Sequence, residues 1–202
     1  MRQEFACAET DKTVLPLAAF VERSRVNGPG IRSVVWVQGC PLCCAGCFNP
    51  DFRSFDGGTQ TAVDELADRI IRDPVTEGVT FSGGEPFAHA GSLSLLAEKV
   101  RTSGKGVVVF TGYRRSELQQ SRQAAWQRLL AASDLLAAGP YEEDKPQRHS
   151  LLSSFNQELV FLTDRYRYAV LAPPNRCGEV LVRADGSMVT SGFLTCQEGL
   201  NK

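Results

Sequence analysis

Four of the seven cysteines in this chain fall within eight residues, in the run Gln38-Gly39-Cys40-Pro41-Leu42-Cys43-Cys44-Ala45-Gly46-Cys47-Phe48-Asn49-Pro50. Cys40, Cys44 and Cys47 have the spacing C-x3-C-x2-C, and a short loop so spaced can turn three thiolates toward one centre. Thiolates are soft ligands that select iron–sulfur clusters, zinc or Cu(I) over hard cations. Three ligands on a cubic four-iron cluster leave one iron free to take a small molecule, whereas a structural zinc site is closed by a fourth ligand. The triplet Cys40, Cys43, Cys47 reads C-x2-C-x3-C, and spacing alone chooses neither the triplet nor the metal. A buried free cysteine that acts as a small hydrophobe is the bland alternative. It suits Cys7, but Pro41 and Gly46 interrupt any core periodicity in the loop.

A second stretch, Ser82-Gly83-Gly84-Glu85-Pro86, follows the short apolar run Gly78 to Phe81. The end of a strand is where ligands bind in parallel α/β architectures. Two glycines let a ligand approach the backbone closely, and Glu85 supplies a carboxylate for an ammonium group. Taken alone, Gly-Gly-Glu is also an ordinary strand-to-helix turn with a surface glutamate.

The elements that must position these two stretches alternate. Val14 to Glu22 reads as a first strand, with an edge role suggested by Pro16. Ile31 to Gln38 is β-branched and bounded by glycines, a buried strand leading straight into the cysteines. Phe48 to Gln60 reads as irregular. Thr61 is a candidate cap for a helix bearing Val63, Leu66, Ala67, Ile70 and Ile71, stopped by Pro74. After Gly78 to Phe81 come a helix over 91–102, an apolar strand Gly106 to Phe110, a helix from Ser116 to Ala132, and strands at Leu135 to Ala138 and Asn156 to Leu162. Strands alternating with helices predict parallel βαβ units. Beyond Pro173-Pro174, Ala184-Asp185-Gly186 between two β-prone runs predicts a hairpin over about 176–195.

Composition bounds the rest. The chain has 202 residues, 43% hydrophobic and 22% charged, enough for one core and an appended element. A net charge of −1 gives no electrostatic reason to expect nucleic acid or an anionic membrane. No apolar run reaches spanning length, and Glu4, Glu9 and Asp11 stand where a signal peptide would have its apolar core. The expectation is a cytoplasmic protein whose cysteines are ligands rather than a disulfide framework. Cys177 and Cys196 bracket the hairpin; two ligands are too few for a second cluster, so packing or a local thiol pair is the reading there. Neither His89 nor His149 is assigned a proton-transfer role, and no general base is assigned. Tyr113 is read either as a cofactor contact or as packing.

Together the cysteine loop and the Gly-Gly-Glu-Pro after the next strand resemble the radical SAM superfamily. A narrower match lies in Val26-Asn27-Gly28-Pro29-Gly30-Ile31-Arg32, Gln38-Gly39-Cys40, Cys47-Phe48-Asn49, Thr111-Gly112-Tyr113 and Gly139-Pro140-Tyr141. These look like the activating enzymes of anaerobic (class III) ribonucleotide reductases. Ser153-Ser154-Phe155-Asn156-Gln157 is similar to that family's Gly-Ser-Ser-Asn-Gln with one residue inserted, and the resemblance covers about 24–158. Pyruvate formate-lyase activases are a looser match. Cys43 is extra, and residues 159–202 extend beyond the compact reductase activase.

The resemblance implies a [4Fe-4S] cluster on Cys40, Cys44 and Cys47, with S-adenosylmethionine (SAM) chelating the fourth iron. It implies a SAM site at Gly83, Gly84 and Glu85, with Phe48 and Thr111 beside it. It also implies a partial, open (βα) barrel of parallel strands over 1–172, with 173–202 as a hairpin extension. The implied reaction cleaves SAM reductively to a 5′-deoxyadenosyl radical that abstracts hydrogen from a glycyl-radical enzyme subunit. A flavodoxin- or ferredoxin-type protein would supply the electron. Two rivals are a radical SAM enzyme acting on another peptide or small molecule, with 159–202 shaping access, and a non-enzymatic iron–sulfur or zinc module. Gly83-Gly84-Glu85 disfavours the last, because electron carriage needs no SAM site.

Overall fold

The structure is a computed structural model that describes residues 13–146, 149, 151–169, 178–182, 185–186 and 188–192. Cys7, Cys177, Cys196 and the outer ends of the expected hairpin lie outside the described residues. The chain forms a mixed α/β fold with strands β1 (Val14–Ser24), β2 (Arg32–Val37), β3 (Thr59–Ala62), β4 (Gly78–Gly83), β5 (Gly106–Thr111), β6 (Leu135–Ala138) and β7 (Glu158–Phe161). Between them lie helices α1 (Val63–Arg72), α2 (Ala90–Thr102), α3 (Arg115–Gln120) and α4 (Ala124–Ala131). These seven strands make one sheet in the order β3-β1-β2-β4-β5-β6-β7.

The centre of the sheet, β2-β4-β5-β6, is parallel, as helical crossovers require. Its flanks are not: β1 runs antiparallel to β2 and to β3, and β7 antiparallel to β6. The links 25–31 and 139–157 contain no helix among the described residues, so the chain turns back instead of crossing over. The polar segment Thr59–Ala62 forms β3 where the sequence reads as irregular, and it covers β1, so Pro16 does not sit on an edge strand. Thr61 lies in β3 rather than at a cap; α1 begins after Ala62 without a side-chain cap. The helix expected over Ser116 to Ala132 is two helices. Ser121 leaves helical geometry and its hydroxyl accepts the Gln123 N–H at 3.2 Å, a local bond that competes with the helix ladder.

β2 and β5 carry buried apolar residues on both faces, which explains the unbroken runs VVWV and VVVF. Val35, Val37, Phe81, Val107 and Val109 pack under the helices with Leu66, Ile70, Leu93, Leu96 and Leu129. On the other face, Val108 and Leu135 pack with Leu151 and Tyr166. A two-stranded hairpin, β8 (Gly178–Val182) with β9 (Met188–Gly192), lies over Val21, Val34 and Trp36 on that face through Leu181 and Val189. No helix among the described residues is long and apolar enough to cross a membrane.

At the start of the parallel strands, the fully buried Arg32 guanidinium donates to Thr80, to the carbonyls of Pro29, Val79 and Gly106, and to the Tyr166 hydroxyl at 2.7 Å. This brace ties β2, β4 and β5 to the segment after β7. It leaves the opposite, C-terminal strand ends for chemistry.

Candidate active site

All four parallel strands end at one cavity of about 380 Å³, within the range of small-ligand sites. The cysteine loop enters from β2, Gly83-Gly84-Glu85 from β4, Thr111-Gly112 from β5, and Gly139 with Tyr141 from β6. Cys40, Cys44 and Cys47 all border it and are partly buried; Cys43 is exposed and does not border it. Burial pushes the Cys40 thiol up to about 11, the largest influence on it.

Backbone bonds fix the loop. Gln38, whose own N–H donates to Pro16, sends its side-chain amide to the carbonyls of Asp51 and Ser54 at 3.1 and 2.8 Å. Gly39 N–H donates to Phe52 and Cys40 N–H to Arg53, so the chain leaving the loop returns against the strand that entered it. The glycine turn is joined to the same place, since Gly84 N–H donates to Val37 at 2.8 Å and Glu85 N–H to Gly39 at 3.0 Å. A Cβ on Gly84 would stand 2.3 Å from the Gly39 carbonyl oxygen, and one on Gly83, whose φ is +102°, 2.5 Å from the Val37 nitrogen. The chain's own backbone therefore makes the close approach that requires glycine here.

Glu85 is 1% exposed, and its carboxylate accepts from Phe87 N–H and the Thr111 hydroxyl on Oε1 and from Gly112 N–H on Oε2. These bonds cap the 3-10 turn Pro86–His89 and clamp the end of β4 to the end of β5. Burial nevertheless pushes this carboxyl up to about 7, against the pull of its three donors. Thr111 borders the cavity, and its hydroxyl also accepts from Tyr113 N–H. Tyr113 packs on Trp126 at 4.6 Å between ring centres and does not border the cavity; His89 and His149 do not border it either. Phe48 is 55% exposed at the cavity's rim, with its ring 4.6 Å from that of Tyr141.

Among the described residues, no three His, Cys, Asp or Glu side chains are grouped to hold a single metal ion. Cys40, Cys44 and Cys47 border one cavity, and three thiols are the soft donor set that an iron–sulfur cluster takes.

Residues 26–160 match a family described as a 4Fe-4S single cluster domain. The chain belongs to this radical SAM family. Among relatives of this radical SAM protein, the anaerobic ribonucleoside-triphosphate reductase-activating protein of Vibrio cholerae is 35% identical over 130 residues, which cover 59% of this chain and 80% of that protein. The protein of the same name from Enterobacteria phage T4 is 32% identical over 146 residues, 69% of this chain and 89% of that one. The pyruvate formate-lyase-activating enzyme of Clostridium pasteurianum is 48% identical over a shorter 65 residues, 30% of this chain and 27% of that enzyme.

The cavity is also bordered by residues that sequence reasoning did not single out as site residues. Tyr141, Ser153 and Gln157 border it, and their signal was the ordered matching of Gly139-Pro140-Tyr141 and Ser153 to Gln157. Gln157 Oε1 accepts from Ser153 N–H and hydroxyl and from Ser154 N–H, while its amide donates to the Gly139 carbonyl. Val189 to Gly192 of the hairpin also border the cavity, although they lie outside the family match. Nothing in their sequence announced this, because the contact is long-range.

Proposed function

We propose that this radical SAM protein activates a glycyl-radical enzyme, in the first instance an anaerobic ribonucleotide reductase. The observation that carries the reading is the junction of the cysteine loop and the Gly-Gly-Glu turn at one cavity, in a chain whose relatives are named activating proteins. Cys40, Cys44 and Cys47 would hold a [4Fe-4S] cluster, and Gly83, Gly84 and Glu85, with Phe48 and Thr111, would hold SAM. When bound, the cluster supplies one electron that cleaves SAM to methionine and a 5′-deoxyadenosyl radical, which takes a hydrogen atom from a glycine Cα of the partner.

The chain's own residues supply position. Gln38 and the Gly39 and Cys40 amides hold the cysteine loop in register. Glu85 fastens the turn through three of about four acceptor positions on its carboxylate, leaving capacity for an ammonium hydrogen. Phe48 and Tyr141 form an aromatic rim to the cavity that the cysteines border. The finer readings go with this one: a partial open barrel over 1–172, an extension over 173–202, a cytoplasmic setting, and a flavodoxin- or ferredoxin-type electron donor.

Anaerobic reconstitution tests the site, with about four irons per chain expected. Cys44→Ser should abolish the cluster and SAM cleavage to 5′-deoxyadenosine, while Cys43→Ser should retain both. The reverse pattern would overturn the ligand set. A second reading, a radical SAM enzyme acting on another peptide or a small molecule, is favoured by one observation: Val189 to Gly192 wall a cavity that a bare activase core would leave open.

A further inference from the structure

The hairpin meets the cavity in an unusual way. Alternate residues of a strand point to opposite faces, so a strand that walls a cavity with one face contributes every second residue. Here four consecutive residues, Val189, Thr190, Ser191 and Gly192, border the cavity. Ser191 is buried against the core and accepts a hydrogen bond from the Asn27 amide, whereas Thr190 is exposed on the opposite face. Both faces bordering one space means that β9 presents its edge, with main-chain N–H and C=O groups along it.

That edge has no strand partner among the described residues. β9 pairs with β8 on one side, and the hairpin is a two-stranded sheet apart from the main one. Such a sheet is marginal in water without further cover. Its inner face is covered through Leu181 and Val189 and anchored where Arg25 N–H donates to Glu179 at 3.1 Å. Its outer face leaves Val180, Val182 and Met188 53%, 69% and 70% exposed, with Val182 and Met188 directly opposite each other. An open edge beside an apolar outer face is the surface on which an extended polypeptide adds as a strand.

We infer that the cavity-facing edge of β9 is a strand-addition site for the extended, glycine-bearing segment of the partner. This rests on the activase reading and states how the target is recognised. Glycine offers no side chain to grip, so a protein that must place one glycine Cα registers it through the main chain and through its neighbours. The same cavity is bordered by β9 and by Cys40, Cys44 and Cys47, so a segment paired with β9 enters the space that the cysteines border.

The test is residue-resolved amide hydrogen exchange on the full, cluster-loaded chain, with and without a class III ribonucleotide reductase large subunit, alongside EPR for a glycyl radical on that subunit. Strand addition has a two-residue signature. Alternate amides within Met188–Gly192 should slow about tenfold or more on adding the subunit, while those paired with β8 stay as they were. Slowing without a glycyl radical supports the edge site and rejects the activase reading. A glycyl radical without slowing supports the activase reading and overturns the edge site. Amides already slow in the free chain would show that the chain covers its own edge, which also overturns it.

Discussion

Replacing Gly84 by alanine adds a single methyl group, and the geometry makes that addition severe. The new Cβ would lie 2.3 Å from the Gly39 carbonyl oxygen and 2.8 Å from that of Phe52, both backbone atoms that no rotamer change can move. Relief requires roughly 1 Å of main-chain shift in a close-packed junction. That shift breaks the bond from Glu85 N–H to Gly39 and strains those from Gly39 to Phe52 and Cys40 to Arg53. Overpacking costs about 1–3 kcal/mol, and each hydrogen bond contributes about 1 kcal/mol. The sum, about 3–5 kcal/mol, falls on the residues flanking Cys40. For a chain of this size the melting temperature should drop by about 10 °C. After anaerobic reconstitution, iron content should fall below half that of the wild type, and SAM should no longer perturb the EPR signal of the reduced protein. Gly91→Ala in α2, where a Cβ meets nothing within 4 Å, is the control and should be neutral or stabilise by up to about 1 kcal/mol. A Gly84→Ala protein with wild-type iron and a wild-type SAM response would refute the reasoning.

Tyr166→Phe should leave one buried N–H of Arg32 without its 2.7 Å partner, lowering stability by about 1–3 kcal/mol and the melting temperature by about 2–12 °C, read by calorimetry. Iron content should not change, since Arg32 starts β2 and the cysteines follow its other end. Burial raises the Glu85 carboxyl to about 7, so the folded state holds this proton more tightly than the unfolded chain does. Its contribution to stability is therefore complete below about pH 4.5 and is lost as pH rises through 7, a change on the order of 3 kcal/mol. Denaturant titrations of wild type against Glu85→Gln should show this slope in the wild type only; parallel profiles would contradict it.

Much of the fold was legible because it rested on local patterns. VVWV and VVVF announced buried strands, and Asp185-Gly186 announced the hairpin that β8 and β9 form. β3 was not legible: Thr-Gln-Thr-Ala has no apolar alternation and is a strand only because β1 offers it an edge. The antiparallel flanks were missed for a related reason, since strand direction follows from what the connections do in space. At the site, the cysteine loop and the strand-end glycines were legible locally, the family resemblance chose Cys40, Cys44 and Cys47 over the triplet with Cys43, and the chosen residues all border the cavity. The role of the glycines was harder to read, because the backbone of Gly39 and Val37, outside the local motif, presses against Gly84 and Gly83. Glu85 looked like a free carboxylate, yet its donors Thr111 and Gly112 lie 26 and 27 residues away, beyond the reach of a local motif.

The central claim is that this chain transfers a radical to a glycine of a protein partner. Its most direct measurement is EPR on a mixture of the cluster-loaded chain, SAM, a reductant and a glycyl-radical subunit, with 5′-deoxyadenosine quantified in the same samples. The account predicts a stable glycyl doublet that grows in step with 5′-deoxyadenosine and is absent with Cys44→Ser. A chain that forms 5′-deoxyadenosine but leaves every glycyl-radical subunit silent, while turning over a short peptide or metabolite many times, would contradict it.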